Sequence, residues 1–224
     1  MKYFTLLFAA LLVLACGTRT TDKDQSNPST VVDADVKTPA AEMEMEAEAA
    51  EGYQPGDVAK DFKLKNVDGT MLSLADMKDA KGYIVTFTCN HCPFSVAYED
   101  RLIALDKKYK TAGYPVVLYF LSSASFEEMQ VRAKEKGFTF PYLVESPNDR
   151  TLYKTYGATK TPHMYVLEKT DEGNIVRYVG AIDDSAMDAD NVKTRYIEDA
   201  VDALLRGEEI KTPVTKAVGC SIKA

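Results

Sequence analysis

The sequence predicts a single α/β domain with a central mixed sheet, flanking helices and an N-terminal hairpin extension. Three observations support this fold class. Apolar runs typical of buried strands alternate with helical patterns between residues 83 and 156, and two strand patterns joined by a turn follow at residues 163–180. A last helical pattern closes the domain at residues 192–205. The length of 224 residues is enough for one such domain with appendages.

The first half of the domain begins with a hairpin and leads to the central strand. Asp68-Gly69 forms the tip of a turn between two extended segments, as in a β-hairpin. The apolar run at residues 83–88 predicts a buried strand. Residues 94–112 then carry apolar side chains at helical spacing and stop at Gly113, which suits a helix C-cap. The continuous apolar run at 116–121 predicts a neighbouring parallel strand.

The second half repeats the alternation before the closing hairpin. Ser125 followed by Glu128 is a capping-box pattern, and it predicts a helix that ends at Gly137. Residues 140–144 predict a short strand, and residues 148–156 a short helix. The tail from residue 208 onward shows no periodicity, so we expect it to be irregular.

Two cysteines mark the junction between the central strand and the first long helix. Cys89 and Cys92 are three residues apart, so both sulfurs should lie at a helix N-terminus. There, unpaired backbone N–H groups and the positive end of the helix dipole favour a thiolate. Thiol–disulfide exchange needs one accessible attacking sulfur and a second that resolves the mixed disulfide. The pair therefore predicts a thiol–disulfide oxidoreductase.

The N-terminus predicts export and anchoring. Lys2 precedes an apolar run at residues 4–15 that is too short to span a bilayer, as in a signal peptide. The run ends in Ala15-Cys16, which resembles the lipobox of bacterial lipoproteins and implies acylation of Cys16. Residues 16–52 are polar and acidic, and predict a disordered linker. The expected organisation is thus a signal peptide at 1–15, an anchored linker at 16–52 and the folded domain with its tail at 53–224.

The order of elements, with Cys-x-x-Cys opening the first long helix and Thr161-Pro162 before a hairpin, resembles the thioredoxin fold. A closer resemblance is to peroxiredoxin-like bacterial redoxins of the AhpC/TSA type, and it rests on residues 87–93, 97–101, 180–185 and 219–223. The resemblance implies that Cys89 is the nucleophile, that Cys92 resolves, and that the two form a Cys89–Cys92 disulfide. It also implies a cis bond at Thr161-Pro162, a rare and positioned feature, with the Thr161 backbone free to pair with an incoming polypeptide.

His91 directly precedes Cys92 and is a candidate for tuning the pair. A histidine here could hydrogen-bond the Cys89 thiolate and, once protonated, stabilise it. Stabilising the reduced form makes the disulfide a better oxidant, so we expect a more oxidising protein than a thioredoxin. The competing interpretation is a surface histidine without a tuning role.

Two other site chemistries compete with disulfide exchange. Cys89, Cys92, His91 and His163 would converge in this fold, and thiolates with imidazole suit Cu(I) or Zn. One Cys-x-x-Cys without a second ligand pair is a poor structural zinc site, so we assign no metal or other cofactor. Thr86 stands three residues before Cys89, as in the Thr-x-x-Cys of peroxiredoxins, which would indicate a peroxidase. We favour the simpler interpretation of Thr86 as a β-branched strand residue.

Cys220 is the remaining thiol once Cys16 is acylated. It could reach Cys89 as a second resolving thiol, or it could be a small buried residue that packs the tail onto the domain.

The expected function follows from the signal and the cysteine pair together. A net charge of −7 gives no basic surface for nucleic acid. We expect an envelope lipoprotein, periplasmic or surface-facing, that exchanges disulfides with exported proteins. Disulfides persist outside the cytosol, so both directions are chemically accessible: a reductase supplied by a membrane electron donor, or an oxidant.

Overall fold

A mixed eight-stranded sheet with four α-helices forms the part of the chain that a computed structural model describes, residues 52–121, 124–146 and 150–223. The spatial order of the sheet is β1-β9-β8-β4-β5-β6-β2-β3, and β7 pairs with β10 in a separate two-stranded ribbon. The strands are β1 Val58–Ala59, β2 Lys63–Asn66, β3 Met71–Ser73, β4 Gly82–Thr88, β5 Val116–Phe120, β6 Tyr142–Val144, β7 Lys160–Thr161, β8 His163–Thr170, β9 Gly173–Gly180 and β10 Cys220–Ser221. The helices are α1 Pro93–Tyr109, α2 Phe126–Lys136, α3 Leu152–Tyr156 and α4 Tyr196–Arg206. This architecture confirms the predicted α/β class.

Strand β4 lies in the interior of the sheet, and all seven of its residues are buried. It runs parallel to β5 and antiparallel to β8. Side chains of a strand alternate between its two faces, so Ile84 packs in one apolar cluster while Tyr83, Val85 and Phe87 pack in the other. Burying each such side chain stabilises the fold by about 1.5–3 kcal/mol. The last residue of β4, Thr88, therefore has a fixed position, and so has Cys89 after it.

Helix boundaries agree with the capping signals in the sequence. Helix α2 begins after Ser125, whose side chain and that of Glu128 form the predicted capping box. It ends at Gly137, which adopts a left-handed conformation (φ 68°) that a glycine reaches without steric cost. Helix α4 begins at Tyr196, four residues later than predicted, and three 3-10 residues, Ala189–Asn191, precede it.

The tail is more regular than its sequence suggests, and the prediction of an irregular tail is wrong in part. Val214 bridges Val179 in parallel, and β10 pairs antiparallel with β7. Both pairings involve only one or two tail residues, which is too short for an alternating pattern to show.

The export signal, Cys16 and the linker up to residue 51 lie outside the described residues, so those expectations stay predictions. Within the described ranges, no helix combines the length and the apolar character needed to cross a bilayer.

Candidate active site

Cys89 lies between strand β4 and helix α1, as predicted. It is a free thiol and is only partly buried. Its Sγ lies 3.3 Å from the Thr161 hydroxyl, which comes from the loop that leads into β8. A hydroxyl at this distance can donate to a thiolate, and the N-terminus of α1 adds its positive dipole end. Cys89 is thus placed as an accessible nucleophile.

Cys92 is the residue that precedes α1, and Pro93 is the first residue of the helix. Proline suits this position because its missing N–H would have no helical partner. Only 2% of Cys92 is exposed, and its Sγ lies 3.1 Å from the Thr161 carbonyl oxygen. The two cysteines thus differ in access, with Cys92 the inner sulfur, as expected for the resolving thiol.

The disulfide in the structure joins Cys92 to Cys220, and Cys89 is free. The predicted Cys89–Cys92 disulfide is therefore not the one present. The two bonded residues have a Cα–Cα distance of 6.0 Å, which is usual for a disulfide. The physical reason is the position of the tail, because β10 places Cys220 beside the inner sulfur. The tail thiol consequently meets Cys92, where the sequence had suggested Cys89 as its target.

Thr161-Pro162 is a cis peptide bond, which confirms the prediction. The backbone of Thr161 was expected to be free for an incoming polypeptide. In the structure it is paired with the chain's own tail, in the register Cys220 to Thr161 and Ser221 to Lys160. Thr161 therefore contacts all three cysteines of the site: Cys89 through its hydroxyl, Cys92 through its carbonyl and Cys220 through strand pairing.

The two histidines occupy different environments. His91 is exposed, and among the described residues none forms a hydrogen bond with it, so the predicted bond to Cys89 is absent. His163 is buried at the start of β8, stacks on Tyr165, and accepts a hydrogen bond from the Thr159 N–H at Nδ1 (3.2 Å). Burial lowers the pKa of His163 to about 4, so its imidazole is neutral at physiological pH.

The converging metal ligands that the sequence left open are not assembled. Across residues 52–121, 124–146 and 150–223, no group of three or more His, Cys, Asp or Glu side chains is placed to hold a metal ion. Cys92 is bound to Cys220, and the Nδ1 of His163 is already bonded to Thr159.

Asn90 is a site residue that the sequence did not reveal. Its side-chain oxygen accepts a hydrogen bond from the hydroxyl of Tyr142, a buried residue of β6. Burial, with the nearby charges of Glu99 and an ionised Cys89, raises the pKa of Tyr142, so the phenol stays protonated and donates. The bond fixes the two-residue segment between Cys89 and Cys92 to the sheet. Sequence patterns contain no signal for it, because the partners are 52 positions apart.

Thr86, the threonine of the possible peroxiredoxin motif, makes its hydrogen bond inside the sheet. It is fully buried within β4, and its hydroxyl donates to the sulfur of Met164 on β8 (3.1 Å). This contact lies inside the sheet and supports the interpretation of Thr86 as a strand residue.

Comparisons with known proteins agree with this geometry. Residues 55–183 match the AhpC/TSA family. The thioredoxin-like protein YneN of Bacillus subtilis (strain 168) is 30% identical over 120 residues, which cover 53% of this chain and 68% of that protein. A hypothetical protein from Sinorhizobium meliloti 1021 superposes with a TM-score of 0.69 at 29% identity, over 77% of this chain and 95% of that one. An uncharacterised conserved protein from Geobacillus kaustophilus superposes with a TM-score of 0.67 at 32% identity, over 76% of this chain and 92% of that one.

The family match spans more than half of the chain and includes Cys89, Cys92 and Thr161-Pro162. Strand order, the cysteines at the start of α1 and the cis-proline loop are consistent with it. This chain belongs to the AhpC/TSA family and has a thioredoxin-like fold.

Proposed function

We propose that this protein is an envelope thiol–disulfide oxidoreductase that exchanges disulfides with exported proteins through Cys89. The observation that carries the proposal is the placement of one partly exposed, free sulfur at the N-terminus of α1, with the Thr161 hydroxyl 3.3 Å away. The buried Cys92 follows three residues later. Disulfide exchange requires an accessible sulfur that attacks the substrate and a second, less accessible sulfur that resolves the mixed disulfide.

The exchange begins when the Cys89 thiolate attacks one sulfur of a substrate disulfide and the other sulfur leaves as a thiolate. The mixed disulfide is then attacked by the Cys92 thiol, which releases the reduced substrate and oxidises the enzyme. The helix dipole and the Thr161 hydroxyl both favour the charged form of Cys89, which is needed at the first step and regenerated whenever Cys89 is released.

The predicted lipobox supports the choice of substrates. An acylated Cys16 with the polar linker to residue 52 would hold the domain at a membrane surface outside the cytosol, where exported proteins carry disulfides. Electrons for a reductase would then come from a membrane donor. Growth with an alkyne-tagged fatty acid tests the anchor: the wild-type chain should incorporate the tag, and a Cys16→Ser variant should not.

Trapping of partners tests the chemistry. A Cys92→Ala/Cys220→Ser variant keeps Cys89 but has no thiol in the domain to resolve it, so mixed disulfides with envelope proteins should accumulate. Adding Cys89→Ser should abolish them. Equal yields of trapped protein with and without Cys89 would refute the proposed role of this cysteine.

A peroxidase is the second candidate, because the chain belongs to the AhpC/TSA family and Cys89 is a free thiol. The two activities differ in what oxidises Cys89: a disulfide, or a hydroperoxide that leaves a sulfenic acid. Stopped-flow measurement of Cys89 oxidation by a disulfide-containing peptide and by hydrogen peroxide, at equal concentrations, separates them. We expect the disulfide to react faster, and a faster reaction with peroxide would favour the peroxidase.

A further inference from the structure

The tail segment, defined as residues 213–222, is hydrogen-bonded to the domain at both of its ends. At its start, the Val179 N–H donates to the Pro213 carbonyl (3.0 Å) and the Thr215 N–H donates back to the Val179 carbonyl (2.9 Å). At its end, the Ile222 N–H donates to the Thr159 carbonyl (3.0 Å). The segment therefore extends the sheet at β9 and then crosses to the cis-proline loop, where it carries Cys220 to the active site.

The contact between the tail and the cis-proline loop requires a glycine at position 219, directly before Cys220. A Cβ atom at position 219 would lie 2.1 Å from the Thr161 carbonyl oxygen and 2.6 Å from its carbon. Real Cβ atoms do not approach backbone atoms this closely, so any other residue would push the tail away from the loop. The glycine lets the tail backbone reach Thr161 and lets Cys220 meet Cys92.

We propose that Cys220 is a third redox cysteine, which takes over the disulfide from Cys89. The inference rests on the proposed function, and it adds a step. After substrate exchange has formed Cys89–Cys92, the Cys220 thiolate attacks the Cys92 sulfur. The Cys92–Cys220 bond forms, the Cys89–Cys92 bond breaks, and Cys89 leaves as a thiolate. One disulfide is exchanged for another inside the chain, so the step needs no external oxidant or reductant.

The arrangement around Thr161 favours this direction of transfer. Cys89 leaves at a helix N-terminus with the Thr161 hydroxyl 3.3 Å away, so its thiolate is stabilised as it departs. Attack is directed to the inner sulfur because Cys220 is held by backbone pairing with Thr161. The state after the transfer is the one in the structure: Cys92 and Cys220 bonded, and Cys89 free.

The transfer also closes the polypeptide-binding edge. While Cys92 is bonded to Cys220, the Thr161 backbone is paired with the tail and cannot pair with a substrate. A dithiol reductant must cleave Cys92–Cys220 by exchange, which leaves both cysteines as thiols and the reductant as a disulfide, before the tail can leave and a new substrate can bind. Cys220 therefore couples the redox state of the enzyme to access at the cis-proline loop.

Disulfide mapping tests the proposal on the full-length protein in detergent. The reduced protein is oxidised with one equivalent of glutathione disulfide, quenched with N-ethylmaleimide, digested without reduction and analysed by mass spectrometry. We expect Cys92–Cys220 to be the main linkage and Cys89 to carry the label. In Cys220→Ser the main linkage should become Cys89–Cys92.

Gly219→Val should lower the ratio of Cys92–Cys220 to Cys89–Cys92 by about tenfold or more, because it unseats the tail without removing a thiol. Val218→Ala is the matched control, since Val218 is 42% exposed on the same segment, and it should leave the ratio unchanged. Circular dichroism confirms that each variant is folded.

The outcomes separate this inference from the proposed function. If the wild-type protein yields mainly Cys89–Cys92 with the label on Cys220, the third-cysteine step is overturned while disulfide exchange stands. If Cys89→Ser reduces a disulfide-containing peptide as fast as the wild type, the proposed function fails as well.

Discussion

The hydroxyl of Thr161 lies 3.3 Å from the sulfur of Cys89, although the two residues are 72 positions apart. Cys89 follows Phe87 by two residues and Thr161 precedes His163 by two, and Phe87 pairs with His163, so the antiparallel pairing of β4 with β8 fixes the distance between Cys89 and Thr161. The contact gives Cys89 a hydrogen-bond donor from a loop that also pairs with the tail. One residue thus contacts both the candidate nucleophile Cys89 and the tail.

Thr161→Val should slow alkylation of Cys89 by iodoacetamide at neutral pH by about fivefold, the factor that corresponds to one hydrogen bond of about 1 kcal/mol. Valine keeps the shape of threonine but cannot donate to the thiolate. Thr159→Val is the matched control, because Thr159 is exposed on the same loop. Equal rates in the two variants would show that the Thr161 hydroxyl does not activate Cys89.

The sequence predicted most of the fold because the elements that build it carry local signals. The all-buried strand β4, the capping box of Ser125 and Glu128, and the hairpin turn at Asp68-Gly69 each show in a window of a few residues. These elements also placed Cys89 and Cys92 correctly at the start of α1.

The rest of the site depends on contacts between distant segments. Cys92 and Cys220 are separated by 128 positions, and nothing local to Cys220 indicates that β10 pairs with β7. The bond from Tyr142 to Asn90 likewise exists only once β6 is in the sheet. The position of His91 between the cysteines suggests a contact with Cys89, but adjacency in sequence does not orient a side chain toward its neighbour.

Tyr142→Phe should lower the free energy of unfolding by about 1 kcal/mol, because it removes the hydrogen bond to Asn90 and keeps the buried ring. The ring packs edge-on against Phe120 (5.6 Å), a contact that phenylalanine retains. Urea denaturation measures the change. Tyr114→Phe is the control, since Tyr114 is also a buried residue but its hydroxyl has no hydrogen bond within the described ranges, and the substitution should cost less. An equal loss in both variants would contradict an anchoring role for Tyr142.

Stability should fall as the pH is lowered from 6.5 toward 4, and His163 should contribute to the loss. Burial lowers the pKa of His163 to about 4 from 6.5, so between these values the unfolded chain binds more protons than the folded one. The contribution is fully present above pH 6.5 and amounts to about 3 kcal/mol. Denaturation midpoints across this range for the wild type and His163→Gln measure it. The variant should show a shallower decline, and parallel curves would exclude His163 as a source.

The bond between Cys92 and Cys220 should stabilise the domain by about 2–4 kcal/mol, because it closes a long loop across a separation of 128 residues. The bond restricts the unfolded chain far more than a disulfide between Cys89 and Cys92 would. Urea denaturation of Cys89→Ser with and without dithiothreitol isolates the effect, since this variant has no other pairing partner for Cys92 within the domain. The reductant should lower its midpoint. In Cys89→Ser/Cys220→Ser the midpoint should be as low as that of reduced Cys89→Ser, and dithiothreitol should not change it. A midpoint of Cys89→Ser that does not respond to dithiothreitol would contradict a stabilising bond between the tail and the active site.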